Sequence, residues 1–317
     1  MTRGSVLAEH VLQAIESGEL DKFAGPELRQ LDRILCDALA TLRSVPNQWQ
    51  ANIRIDTNPA AFGPPGQPLR LVAGALEDVD ATLGFVAHGN AYKLAALVED
   101  AVDGLNRKRF TVAISATRAV IETYAAIAHS TRKLKPQLEA LFALTPSMLA
   151  ASTSVSSSKT YSAALQTILA AMSKLRAQPQ LTKWNWLVFT GEALAADSKK
   201  VPPGLEQVNV LTAIDALKFS RAYGDRTPRI FYDALCDCVH PNRDSYMLFM
   251  ETCETTETMW RPLLRAQPSH RELTLFALSL MAVPLQELVP VGIDIIGNLL
   301  AWHKKVIEIR VGLRAYL

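Results

Sequence analysis

"RFTVAISATRAVIETYAAIAHSTRKL", residues 109–134, is the stretch on which the fold turns. At about 100° per residue, Ile114, Ile121 and Ala125 fall together, Val120 and Ile127 lie well round the cylinder, and Val112, Ala116 and Ala119 cover much of the rest. A helix apolar on nearly every side belongs at the centre of a helical protein. Its one polar stripe superposes Thr111, Ser115, Arg118, Glu122 and His129, with Arg118 and Glu122 spaced i,i+4. Facing solvent, that pair contributes about 0.3–0.5 kcal/mol. Facing inward, each charge needs the other and further partners to offset its desolvation, and the pair marks a candidate site.

Helical spacing of apolar residues continues on both sides of this stretch, and alternating β-type runs are scarce. The pattern predicts helices over 5–17, 26–44, 69–86, 91–105, 108–131, 135–143, 159–176, 204–219, 228–239, 269–283 and 290–312. The exception is "SYMLFMETCETTETMWRPLL" (245–264), where two β-compatible runs flank "ETTE". The expected class is therefore all-α: an irregular multi-helix bundle with one short β-hairpin near 245–262. The Pro- and Gly-dense "TNPAAFGPPGQP" (57–68) separates an amino-terminal helical hairpin, 1–56, from a main bundle over 57–317.

The chain has 317 residues, 49% hydrophobic and 20% charged, enough to bury a large core. Its 33 basic and 31 acidic side chains leave a net charge of +2. That balance supplies no broad field for nucleic acid or an anionic membrane, so any such contact must come from a local patch. Nothing points to DNA or to a membrane as partner. The amino-terminal segment carries acidic residues and no apolar run with a cleavage site, which predicts no signal or transit peptide. "LMAVPLQELVPVGIDIIGNLLAW" is interrupted by Pro284, Glu287, Pro290, Asp294 and Asn298, short of the roughly 20 mostly apolar residues of a spanning helix, and is expected as two buried core helices. Four cysteines without a secretory signal suggest reduced thiols and a cytoplasmic protein.

The second candidate stretch is "FYDALCDCVHPNRDSY" (231–246). Phe231, Tyr232, Leu235 and Val239 mark one helical face, and Pro241 ends the helix near Val239. His240 and Asn242 then stand at the carbonyl end, where the dipole favours an imidazolium and Asn supports a turn. Cys236 and Cys238 point to opposite sides of a helix, and no paired C-x-x-C spacing exists, so the expectation is no metal and no cofactor. A Cys236–His240 nucleophilic pair ranks below His240 acting as acid or base beside the anion-binding Arg118.

"TRAVIETYAAIAH" (117–129) and "VNVLTAIDALKFSRAYGDRTPRIFYDALCDCVHPN" (208–242) together resemble uncharacterised bacterial proteins of the HEPN-like type, in which an R-x-x-x-E helix is paired with a Y-D-x-L-[SC]-x-x-V-H-P-N helix end. The matching residues are Arg118, Glu122, Tyr232, Asp233, Leu235, Val239, His240, Pro241 and Asn242. The resemblance implies a helical bundle, frequently dimeric through its helices, in a superfamily rich in RNases and in toxin and antiviral-defence components. It implies a site in which Arg118 and Glu122 meet His240 and Asn242, supported by Tyr232, Asp233 and His129, with RNA or a nucleotide phosphate as partner.

RNase members of that superfamily carry an Arg and a His four to six residues apart on one helix. The present chain departs from this, offering only Arg3 with His10 and Arg265 with His270. Enzymatic activity is accordingly left open. The competing expectation is a non-catalytic interaction or dimerisation module in which Arg118, Glu122, His240 and Asn242 form a structural polar network. "WHKKVIEIRVGLRAYL" (302–317), with Lys304, Lys305, Arg310 and Arg314, is a further candidate dimer face or RNA-contacting strip.

Overall fold

The computed structural model describes residues 26–52, 67–151, 158–176, 209–220, 222–241, 245–246, 248–256, 258–266 and 271–317. Eight helices are described: α1 Pro26–Arg43, α2 Pro68–Asn106, α3 Phe110–Phe142, α4 Pro146–Ala151, α5 Ser158–Arg176, α6 Val210–Asp215, α7 Pro228–Val239 and α8 Arg271–Arg314. Two antiparallel strands, β1 Met250–Thr255 and β2 Trp260–Leu264, form a hairpin. The protein is an irregular all-α bundle carrying one small hairpin, as expected. The helix expected at 5–17 and most of the loop at 57–68 lie outside the described residues.

Local chemistry accounts for several boundaries. In α1, Leu31, Leu35, Leu39 and Leu42 recur on one face and all four are buried. Pro228 begins α7, where its missing N–H costs no hydrogen bond. The α7 carboxy terminus falls where Pro241 requires: His240 is already extended (φ −70°, ψ 149°), and its N–H closes the last turn on the Cys236 carbonyl at 2.9 Å.

Three expected breaks are absent. The helices expected at 69–86 and 91–105 are one helix, α2; those at 108–131 and 135–143 are one helix, α3; those at 269–283 and 290–312 are one helix, α8. Gly89 and Asn90 lower helix propensity, but Ala87, Asn90 and Ala91 are all buried, and packing overrides a weak local preference. The Asn90 amide is satisfied by donating to the Val86 carbonyl at 2.8 Å. Pro136, Pro284 and Pro290 sit inside continuous helices. Around Pro284, Val283 and Leu285 are wholly buried, so apolar packing offsets the lost hydrogen bond. Conversely, the helix expected at 204–219 is described only as the short α6, and α4 went unanticipated.

The chain divides into two compact units, and three of the five boundaries between them fall inside α2, α3 and α8. The first comprises the described residues of Met1–Val45, Ala91–Ala125 and Val210–Ile293. In it Leu94, Val98, Ile114, Ile121, Leu235 and Met281 are buried. The α2–α3 turn is tight: Lys108 adopts φ 55°, and a Cβ on Gly104 would lie 2.8 Å from the Ala113 nitrogen, so a glycine is required there. The second unit comprises Pro46–Asn90, Ala126–Asn209 and Asp294–Leu317. Its core joins Val72, Leu76 and Leu83 of α2 to Leu134, Leu138 and Leu141 of α3, Ile168 and Met172 of α5, and Leu299, Val306 and Leu313 of α8.

By length and composition Leu273–Arg314 is apolar enough to cross a membrane, yet 67% of its most apolar window is buried within the fold. It is a core helix, in one piece rather than the two expected. In the hairpin, Thr256 N–H donates to the Met259 carbonyl at 2.8 Å. Counting back through the register, Pro262 opposite Cys253 falls at a non-hydrogen-bonded pair, so its nitrogen is on the outer edge of β2.

Candidate functional site

In the first unit, α3 presents Arg118 and Glu122 one turn apart, and α7 brings Tyr232 against both. The Tyr232 hydroxyl donates to Glu122 Oε1 at 2.9 Å and accepts from Arg118 Nη2 at 3.4 Å. The same Nη2 lies 3.2 Å from Glu122 Oε1, closing a triangle. The Arg118 guanidinium carbon stands 5.5 Å from the centre of the Tyr232 ring, a cation–π contact. Arg118 and Glu122 are partly buried, and Tyr232 is 5% exposed. The Cys236 thiol, one turn along α7, lies beside both Tyr232 and Arg118.

Electrostatics fix the protonation of this group. Burial pushes the Tyr232 hydroxyl up to about 12; the Arg118 hydrogen bond works against that rise, and the Glu122 carboxylate adds to it. The hydrogen bond to Tyr232, together with the fields of Cys236 and Glu122, pushes the Arg118 guanidinium up against its own desolvation. Tyr232 therefore stays a neutral donor at physiological pH. It is suited to holding a carboxylate and poorly matched to proton transfer near pH 7.

A loop and a buried acid position α7. Glu287 of α8, 6% exposed, accepts from the Ser220 N–H at 2.8 Å, the Ser220 hydroxyl at 2.5 Å and the Tyr223 hydroxyl at 2.7 Å. Three donors satisfy the carboxylate and pin the segment that leads into α7. Phe219 packs edge-on against both Tyr223 and Phe231, at centroid distances of 5.6 and 5.8 Å.

The other expected site residues do not join the triangle. His240 is exposed, and its side chain makes no hydrogen bond or ion pair with Arg118 or Glu122. Asn242 lies outside the described residues. Asp233 is held by Arg229, whose Nε stands 2.9 Å from both carboxylate oxygens while its Nη1 reaches Asp215 of α6 at 3.0 Å. His129 belongs to the second unit; its Nε2 is buried without a hydrogen-bond partner among the described residues. Desolvation first, then Lys133 and Arg132, pushes its imidazole below the usual range.

Sequence reasoning missed a second polar cluster, built in the second unit from α2 and α8. Asp80 Oδ1 lies 2.8 Å from His303 Nε2, and Asp80 Oδ2 lies 2.5 Å from Arg310 Nη1. His88 stacks on Trp49 with centroids 5.3 Å apart and planes inclined by 14°, and meets His303 edge-to-face at 6.0 Å. Arg310, expected on a basic surface strip, is turned inward to Asp80. The signal was present as Asp80, Gly84 and His88 at i, i+4 and i+8 in an apolar helix, with His303 and Arg310 at i and i+7. Among the described residues no group of three or more His, Cys, Asp or Glu side chains converges as metal ligands. No protein-family model, curated protein or solved structure matches the chain.

Proposed function

We propose that this chain is a non-catalytic, HEPN-like helical interaction module of the bacterial cytoplasm, associating with a second copy of itself. In this reading Arg118, Glu122 and Tyr232 form a lock that fixes α7 to α3. The observation that carries it is the closed triangle: the Tyr232 hydroxyl and Arg118 Nη2 both address Glu122. Arg118 Nη2 makes both polar contacts, to the Glu122 carboxylate and the Tyr232 phenol, and the guanidinium lies over the Tyr232 ring, so the charge is already matched and one arm of the fork engaged within the protein. The histidine that would move a proton stands outside the group. Association is supported by the hairpin, which exposes Met259, Leu263 and Leu264 at about half of their surface.

The test sets folding against activity in the purified protein and its Arg118→Ala, His240→Ala and paired Leu263→Glu/Leu264→Glu variants. Expected are no cleavage or retention of labelled single-stranded RNA, a lowered melting temperature for Arg118→Ala, an unchanged one for His240→Ala, and a shift to monomer in sedimentation for the paired variant. RNA cleavage abolished by His240→Ala with an unchanged melt would overturn the reading in favour of a phosphodiester-cleaving enzyme.

A further inference from the structure

The hairpin holds an anion and a cation that stand opposite each other without pairing. The turn bond from the Thr256 N–H to the Met259 carbonyl sets the register, and two residues further along Glu254 of β1 lies directly across from Arg261 of β2. Side chains alternate along a strand, so Met259, Arg261 and Leu263 share one face of β2, and Glu254 projects on the same face from β1. Arg261 Nη2, 3.8 Å from the Met259 sulfur, fits that placement. All four side chains are exposed. Arg265, the next basic residue on this face, lies 3.7 Å from Glu251. Among the described residues the Glu254 carboxylate has no such partner, and the Arg261 guanidinium has only the thioether. Leu264 alternates to the opposite face of the sheet.

We propose that two copies of the chain pack hairpin on hairpin through this face, about a two-fold axis running along the strands, so that Glu254 of each protomer meets Arg261 of its partner. The pairing rests on the self-association inferred for this chain, and specifies its face and its symmetry.

A patch that carries both signs at one height is complementary to itself. Rotation about an axis along the strands exchanges left and right but leaves height unchanged, so β2 of one protomer lies over β1 of its partner. Residues opposed within a hairpin are then opposed again between hairpins. Glu254 and Arg261 of the two protomers alternate round a square, whose sides all join opposite signs and whose diagonals alone join like ones. An axis across the strands would instead lay β2, with Arg261 and Arg265, on a second β2, and the acidic β1 on a second β1. The axis along the strands also sets Leu263 beside Leu263 and Met259 beside Met259, which supplies the apolar contact, while the charges fix the register. Two strands of this length cover less than the about 800 Å² that each partner buries in a standard complex, so the dimer is weak.

Sedimentation velocity of the full chain over a concentration series at low salt tests the pairing. Expected for wild type is a monomer–dimer equilibrium. Glu254→Arg and Arg261→Glu each weaken association by at least about tenfold, because each lays like charges on one another. Mixed in equal amounts, these two variants associate again, since both contacts of the mixed dimer join opposite signs. The mismatch inside each hairpin persists in the mixture, so recovery reports a contact between chains. Leu264→Glu, on the opposite face, leaves the equilibrium unchanged. A wild-type dimer that either charge reversal leaves intact, a mixture that stays monomeric, or disruption by Leu264→Glu overturns this arrangement while self-association stands. A wild type that is monomeric throughout overturns both.

Discussion

A single hydroxyl links the two helices of the first unit's polar site. Tyr232 accepts from a cation and donates to an anion at one oxygen. Tyr232→Phe keeps the packing and removes a hydrogen bond to a charged group, so a stability loss of about 1.5–3 kcal/mol is expected in urea unfolding. The same residue shapes the alkaline limb of stability. Its folded value, about 12, stands above the ordinary value near 10, so the unfolded chain loses the proton first. Its contribution is full below about pH 10 and is lost as pH rises towards about 12, and Tyr232→Phe should flatten that decline. In the second unit, Asp80→Asn leaves Arg310 without its counter-charge, and a loss of about 3–5 kcal/mol is expected in the same assay.

The Arg118–Glu122 pairing was legible at this scale because i,i+4 spacing is a local rule, and helix geometry alone puts the two on one stripe. Tyr232 was expected only as a supporting residue, and its central role was not legible, since that depends on how far α7 reaches across α3. The placement of His240 was not legible for a related reason: proline fixes where the helix ends, but the direction of the side chain after that end is set by packing. Asp80 is separated from His303 and Arg310 by more than two hundred positions, and the spacing within each helix does not say that the two helices meet.

At the scale of elements, punctuation residues were read correctly at helix ends and over-read inside helices whose neighbouring residues pack into a core. Pro228 and Pro241 bound α7 as expected. Pro136 does not end α3, Pro284 and Pro290 do not end α8, and Gly89–Asn90 do not end α2. Proline in a helix interior costs about 3 kcal/mol relative to alanine before compensation. Because Pro136 is itself exposed, Pro136→Ala should raise stability by about 1–3 kcal/mol in thermal melts, with helix content unchanged or slightly higher. Pro284 is buried between Val283 and Leu285, so the same exchange there opens space in the core and should give a smaller gain or a loss.

Over the whole molecule, two imidazoles bias stability against acid. His88 and His129 are both held below the ordinary value near 6.5. Their neutral forms stabilise the fold fully above that value, and the contribution is lost as pH falls through their folded values. Urea unfolding at about pH 7.5 and about pH 5.5 should therefore show a lower free energy at the acid end, and His129→Gln should remove part of that difference.

The hairpin carries one more consequence, for what happens when many copies meet. A strand with Leu263 and Leu264 exposed has the makings of a fibre seed, since an open ladder edge recruits another strand, and that strand the next. Pro262 withholds a donor from the outer edge of β2, at a place where an incoming strand would need it. The apolar faces of two hairpins remain able to meet, but edge-to-edge growth along β2 stops at its first step. One imino ring thereby withholds from β2 the pairing that a growing ladder would require.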